Sequence, residues 1–315
     1  MTSAAVESVG PNWFTSVMGT GIVANAAATL PVHLPELEIA ATVVWLVAVV
    51  MLIAITAVFA AQWLVRPATA RRHLEHPVMA QFYGAPPMAL LTVGAGAVLV
   101  GHRVLGEQPA LAVDWVLWSA GTVTGLLCAV VVPLWMFTRH RPSPGAAFGG
   151  WLVPLVPPMV SAAGGALLVP HTPEGQPRLS LLLLCYAEFG VGLAGSLVVI
   201  TLVWARLVRH HEGPPALVPT LWIGLGPLGQ SMAWWSFTFP VGTVVTGTSE
   251  LARHSHAVVF AAAAVIFYAG LVLAWALVLA RTVRSGLRGV RKAEADPVRT
   301  VRAEVRRATG RGSRG

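Results

Sequence analysis

Long apolar stretches alternate with short polar ones along almost the whole chain. Seven runs, at roughly 11–30, 39–62, 79–101, 111–137, 148–169, 179–204 and 257–280, each supply the ~20 mostly apolar residues that a helix needs to cross a bilayer. An eighth stretch, 215–249, carries no Lys or Arg. It is too long for one ordinary span and too short for three. The loops after the second, fourth and sixth runs hold Arg66, Arg71, Arg72, Arg139, Arg141, Arg206 and Arg209, whereas those after the first, third and fifth hold only Arg103 and Arg178. Because positive charge stays on the cytoplasmic side, both termini are expected there. The 215–249 stretch then crosses once, giving eight crossings, seven clear and one broken.

Glycine and proline divide the runs into two kinds. The second, Ile39 to Gln62, has neither residue, while the third holds Gly84, Pro86, Pro87, Gly94 and Gly96. The fifth holds Pro154, Pro157, Pro158, Gly164 and Gly165, and the 215–249 stretch has Pro219, Gly224, Gly226, Pro227, Gly229, Pro240 and Gly242. An interior proline costs a helix ~3 kcal/mol and frees a carbonyl. In lipid, such backbone survives only where protein or a watery cavity covers it. The odd-numbered spans are therefore expected inside, with the even-numbered ones as a lipid-facing jacket. The segment Phe82–Met88 (FYGAPPM) also resembles Leu152–Met159 (LVPLVPPM), which points to a repeated helical hairpin. The predicted fold is an all-α integral membrane protein of repeated hairpins around a central pore.

Composition agrees with the pattern: 56% of residues are hydrophobic, only 11% are charged, and the mean hydropathy is +0.70. Soluble chains carry roughly 25% charged residues, so a water-soluble globule is excluded. The net charge of +8 lies wholly at the C-terminal end, where residues 281–315 hold eleven Lys/Arg against Glu294, Asp296 and Glu304. Three regions follow: a short cytoplasmic N-terminus (1–10), a transmembrane pore domain (11–281) and a basic cytoplasmic tail (282–315), disordered beyond Asp296. Arg281, Arg284, Arg288, Arg291 and Lys292 are suited to anionic lipid. No aromatic residue interleaves them, so a nucleic-acid platform is not expected. Cys128 and Cys185 sit in apolar runs and read as core residues, and no signal-peptide pattern precedes the first span.

The spans offer no constellation for catalysis, no mid-span histidine pair for haem and no acidic motif for metal, so neither an enzyme nor a cofactor is expected. The odd spans carry neutral hydroxyls instead: Thr15, Ser16 and Thr20; Ser161; Ser231, Ser236, Thr238, Thr243, Thr246 and Thr248. Hydroxyls and freed amides can hydrogen-bond an anion weakly enough to release it, although such residues also simply help helices pack. Glu188, in the sixth span, is the sharpest anomaly. It is either a packing group or a proton-coupling site.

At Pro11–Ile22 (PNWFTSVMGTGI), His76–Phe82 (HPVMAQF), Trp222–Gln230 (WIGLGPLGQ) and Trp234–Thr243 (WWSFTFPVGT), the chain resembles the tellurite-resistance/dicarboxylate transporter family. This is the voltage-dependent anion channel superfamily, to which the yeast malate and sulfite transporters and the plant slow-type anion channels belong. The resemblance implies ten helices in five hairpins, inner odd helices around a pore, a homotrimer in the cell membrane, and passage of small anions such as C4-dicarboxylates, sulfite, tellurite or chloride. It also implies a phenylalanine gate, matched here by Phe239 with Phe237 in reserve, and pore-lining candidates Phe14, Thr15, Gly19, Thr20, Gly84, Pro87, Pro158, Ser161, Thr238, Pro240 and Thr243. The chain departs from the family at one place. Only Ser231, Met232 and Ala233 separate segments that a complete helix separates in the family, so a hairpin-sized piece of about 60 residues, by bilayer length, is missing after Gln230. An anion transporter or channel is the expected function; the alternative is a truncated or regulatory membrane protein without transport of its own.

Overall fold

The computed structural model describes residues 9–32, 34–140, 142, 146–210 and 230–295, with side chains at 210, 230–234, 236–237 and 285–295 outside the described set. Among the described residues there are helices and turns and no strand. The first inner segment is a 3₁₀ turn, Pro11–Trp13, leading into α1 (Phe14–Thr29). Then come α2 (Pro35–Val65) and a short polar helix, α3 (Pro67–Glu75). A 3₁₀ turn, Met79–Gly84, opens α4 (Ala85–Gly96), which continues through a π turn at Ala97–Gly101. Next are α5 (Glu107–Trp135) and the 3₁₀ turn Gly149–Leu152 before α6 (Pro157–Leu168). The last three are α7 (Gln176–His210), α8 (Gln230–Ser255) and α9 (Val258–Ala295).

Five segments, Pro35–Val65, Met79–Leu105, Glu107–His140, Gln176–Arg209 and Val258–Arg284, are long and apolar enough to cross a membrane unaided. The other three helical segments, around α1, α6 and α8, are shorter or more polar, and are sheltered by their neighbours. Every residue from Phe14 to Ala27 is buried. The most apolar window of Met79–Leu105 is 61% buried, against 17% for α2, 11% for α7 and 17% for Val258–Arg284. The expected alternation of inner and jacket helices is therefore present. It follows from solvation, because an interrupted backbone must be covered by protein, while an uninterrupted helix satisfies its own polar groups.

Helix α1 packs against α2, α4 and α8; α4 packs against α5 and α6; α6 packs against α5 and α7. The inner helices thus form a row, α8–α1–α4–α6. Among the described residues, α6 and α8, at the ends of this row, have no extensive contact. Val23 and Ala26 of α1, Leu30 just after it, Val245 of α8, and Ala264 and Leu271 of α9 form one core cluster. The chain divides after Trp275, within α9; of the second unit, the helix continues to Ala295.

The repeat seen in FYGAPPM and LVPLVPPM extends well beyond those motifs. Pro87 and Pro158, Gly94 and Gly165, and Gly121 and Gly192 are each 71 residues apart. A Cβ on Gly94 would lie 2.6 Å from Asp114 Oδ1, and one on Gly165 would lie 2.6 Å from Cys185 Sγ, again a pair 71 residues apart. The hairpins α4–α5 and α6–α7 are packed alike. One expectation needs adjustment: α8 runs through Pro240 without ending. Proline removes one backbone bond there, and the bonds on either side keep the helix continuous. The expected breaks at 215–229, the Trp222–Gly229 part of its motif, and the tail beyond Asp296 lie outside the described residues.

Candidate functional site

Phe239 is 4% exposed and belongs to an apolar cluster built with three other inner segments and the jacket helix α2. Its companions are Phe14, Val17, Met18 and Ile22 of α1, Ala48 and Leu52 of α2, Ala85, Met88, Ala89 and Val93 of α4, and Val153 just ahead of α6. The α8 helix brings Phe239 there because α1 and α8 approach closely. A Cβ on Gly19 would collide with the Thr238 hydroxyl, and one on Gly242 with Ile22. Gly84 has the same use between the two repeat-related turns, where a Cβ would collide with the Val153 carbonyl. On the far side of the cluster, Phe14 meets Phe59 of α2 edge-on at 5.6 Å between ring centroids.

The candidate residues do not all converge. Phe239, Phe14, Thr238, Gly19 and Gly84 come together around the apolar cluster. Thr20 turns toward the jacket, where it accepts a 3.3 Å hydrogen bond from Trp275 Nε1 and lies 4.0 Å from Met51 Sδ. Pro87 has its carbonyl against Gly121 of α5. Ser161 shares a hydrogen bond with Thr122 of α5, and its carbonyl accepts from Trp118 Nε1 at 2.9 Å. Pro158 is buried at the start of α6, Pro240 is half-buried and Thr243 is exposed. The Phe237 side chain lies outside the described set.

Most of the inner hydroxyls are already engaged. Thr15 donates to the Asn12 carbonyl at 2.6 Å, Ser16 to Trp13 at 2.7 Å, Thr238 to Trp235 at 2.8 Å and Thr243 to Pro240 at 2.7 Å. These are turns of bonding back onto the helix. A hydroxyl must give up such a bond before it can donate to an anion, which costs about 1 kcal/mol each. The buried polar residues among those described include no Lys or Arg, and the charged ones are Asp114 and Glu188.

Three buried polar features escaped the sequence reading. Asn25 of α1 donates through Nδ2 to the Thr92 carbonyl at 3.0 Å, and Trp45 of α2 donates to the Val93 carbonyl at 3.0 Å. Both reach α4 beside its glycines. Asp114 of α5 is 1% exposed against Gly94. The available signals were an amide in an alanine-rich run and tryptophans away from the span ends, where interfacial rings normally sit. A separate cavity of about 140 Å³ lies between α1, α2 and the end of α4, bordered by the 2.8 Å ion pair of Glu38 and Arg103.

The family profile for the voltage-dependent anion channel matches residues 8–233 and 230–283. This chain belongs to the voltage-dependent anion channel family. Sulfite efflux pumps of Arthroderma otae and Trichophyton rubrum are 23% and 24% identical to it over 342 positions, covering 89% of this chain and 91% of theirs. An uncharacterised transporter of Methanocaldococcus jannaschii is 29% identical over 227 residues, covering 72% of this chain and 63% of that protein. As a family member, the protein is a multi-pass membrane transporter or channel for anions. The 342-position alignment uses 89% of 315 residues, about 280, so about 60 positions have no counterpart in this chain. The two profile matches meet at residues 230–233, where the sequence reading placed the missing hairpin.

Proposed function

We propose that the protein carries small oxyanions of the sulfite class, with C4-dicarboxylates and chloride as further candidates, along the space among α1, α4, α6 and α8, and that Phe239 closes this path. It works as a homotrimer in the plasma membrane with both termini in the cytoplasm. The observation that carries the reading is the seat of Phe239, buried in one cluster with residues of α1, α2, α4 and the turn before α6. A bulky apolar ring at such a point opposes ions by size and by dewetting. Neutral walls suit this task, because a fixed cation would hold an anion too tightly. The sulfite efflux pumps named above supply the substrate class, and the other anions come from the sequence resemblance. The test is flux of sulfite, malate, tellurite and chloride into proteoliposomes holding purified protein. Movement of at least one anion is expected; none from a folded trimer would sink the reading.

The second reading, a membrane protein without transport of its own, is favoured by one observation: about 60 positions of the relatives are unmatched, and α6 and α8 close no ring among the described residues. Flux in the same assay separates the two.

A further inference from the structure

Helix α7 is the most exposed of the jacket, with only 11% of its most apolar window buried. On it, Tyr186 and Phe189 are 74% and 46% exposed, yet Glu188 between them is 2% exposed. The carboxyl is turned away from lipid and toward α6. It interacts there with the Ser161 hydroxyl, while neither oxygen has a donor at full hydrogen-bonding geometry among the described residues. Ser161 is itself 0% exposed and is tied to α5 twice, by its hydroxyl to Thr122 and by its carbonyl to Trp118. Gly165 permits this junction, since a Cβ there would stand 2.6 Å from Cys185 Sγ and 3.0 Å from the Trp118 ring. The point where Glu188 acts is therefore an inner helix held by two jacket helices.

The charged and titratable groups around it are few. On α7, Cys185 lies one turn away, and Arg178 and Arg206 stand about 15 and about 27 Å along the helix axis at 1.5 Å per residue. Arg178 is bound to the Thr172 carbonyl and to Glu174, and Arg206 to the Ala147 carbonyl. On α5, Asp114 lies one turn before Trp118. Helix α6 contributes no titratable side chain, the turn at Gly149–Leu152 none, and the turn at Val169–His171 only His171, exposed at its end. Among these groups no cation is placed to answer a charge on Glu188.

We propose that Glu188 is a proton-binding site whose occupancy sets the position of inner helix α6, making anion movement through this protein sensitive to protons. A protonated carboxyl donates to Ser161 Oγ, which then donates to Thr122, and the α5–α6–α7 junction stays dry and neutral. An ionised carboxylate only accepts; it turns the Ser161 hydrogen toward itself, leaves Thr122 to donate, and requires further donors that only water can supply. Admitting that water parts α6 from the jacket. The proton enters and leaves Glu188 as such, so the step needs no other reactant.

The inference rests on the transport reading, and the experiment keeps the two apart. Anion flux in proteoliposomes is measured across a range of pH for the native protein, Glu188→Gln and Glu188→Asp, and pH-difference infrared spectra are recorded on the same samples. The native protein and Glu188→Asp are expected to show pH-dependent flux. Glu188→Gln is expected to lose that dependence, to hold the native acid-end flux throughout, and to lose one carboxyl C=O stretching band. Unchanged pH dependence together with an unchanged band in Glu188→Gln overturns the proposal. If native flux is absent at every pH, the transport reading fails while the infrared band still decides whether Glu188 takes up a proton. Should Glu188→Gln not fold, Ser161→Ala is measured instead, and full native pH dependence in that variant overturns the proposal.

Discussion

At the scale of single residues, two positions carry opposite expectations. Phe239 fills a site shared by four other segments, so its removal opens space where ions would pass. Phe239→Ala should raise anion flux in proteoliposomes, whereas Phe237→Ala should mainly lower the melting temperature of the purified protein; unchanged or reduced flux in well-folded Phe239→Ala would remove the gate. Gly84 behaves differently, because a Cβ there runs into the Val153 backbone rather than a movable side chain. Gly84→Ala should destabilise by about 1–3 kcal/mol, the usual cost of overpacking, seen as a lower midpoint in thermal unfolding in detergent. A native midpoint would show that the two turns can part freely.

At the scale of elements, α3 has a pH dependence of its own. His73 is half-buried beside Gly10, with a buried Nδ1 that has no partner among the described residues. Burial lowers its pKa from the ordinary 6.5, and the neighbouring His76 lowers it further. The folded state therefore prefers the neutral ring. Its contribution to docking is complete above 6.5 and is lost as pH falls from 6.5 toward the lowered value. Protection factors of amides in Pro67–Glu75, with the intrinsic pH dependence of exchange divided out, should fall on acidification through that window, and His73→Gln should flatten the change; an equal fall in the variant would assign it to another group.

At the scale of the whole molecule, the basic end and the helical body should act independently. Arg284, Arg288, Arg291 and Lys292 lie in the second unit, beyond Trp275, and each juxtamembrane cation contributes ~1 kcal/mol toward an anionic surface. Replacing all four with Gln should weaken binding to vesicles rich in anionic lipid and leave the order of anion preference unchanged. A changed preference would place these residues in the conduction path.

How much of this was legible in the sequence depends on whether a feature is local. Five of the eight expected spans, the inner and jacket classes and the family followed from 20-residue apolar runs, from the placement of Pro and Gly, and from the PNWFTSVMGTGI and WWSFTFPVGT segments, because bilayer solvation acts on each helix separately. Which face of a helix meets which neighbour is not local. Thr20, Ser161 and Pro87 have the composition of pore-lining residues, yet their partners Trp275, Thr122 and Gly121 lie on jacket helices. Glu188 stands out in sequence as an acid within an apolar run, but only packing leaves its oxygens and those of Asp114 buried without a donor at full hydrogen-bonding geometry among the described residues. A side chain's surroundings are set by chain segments tens to hundreds of residues away, as with Thr20 and Trp275, and those distances close only when the helices assemble.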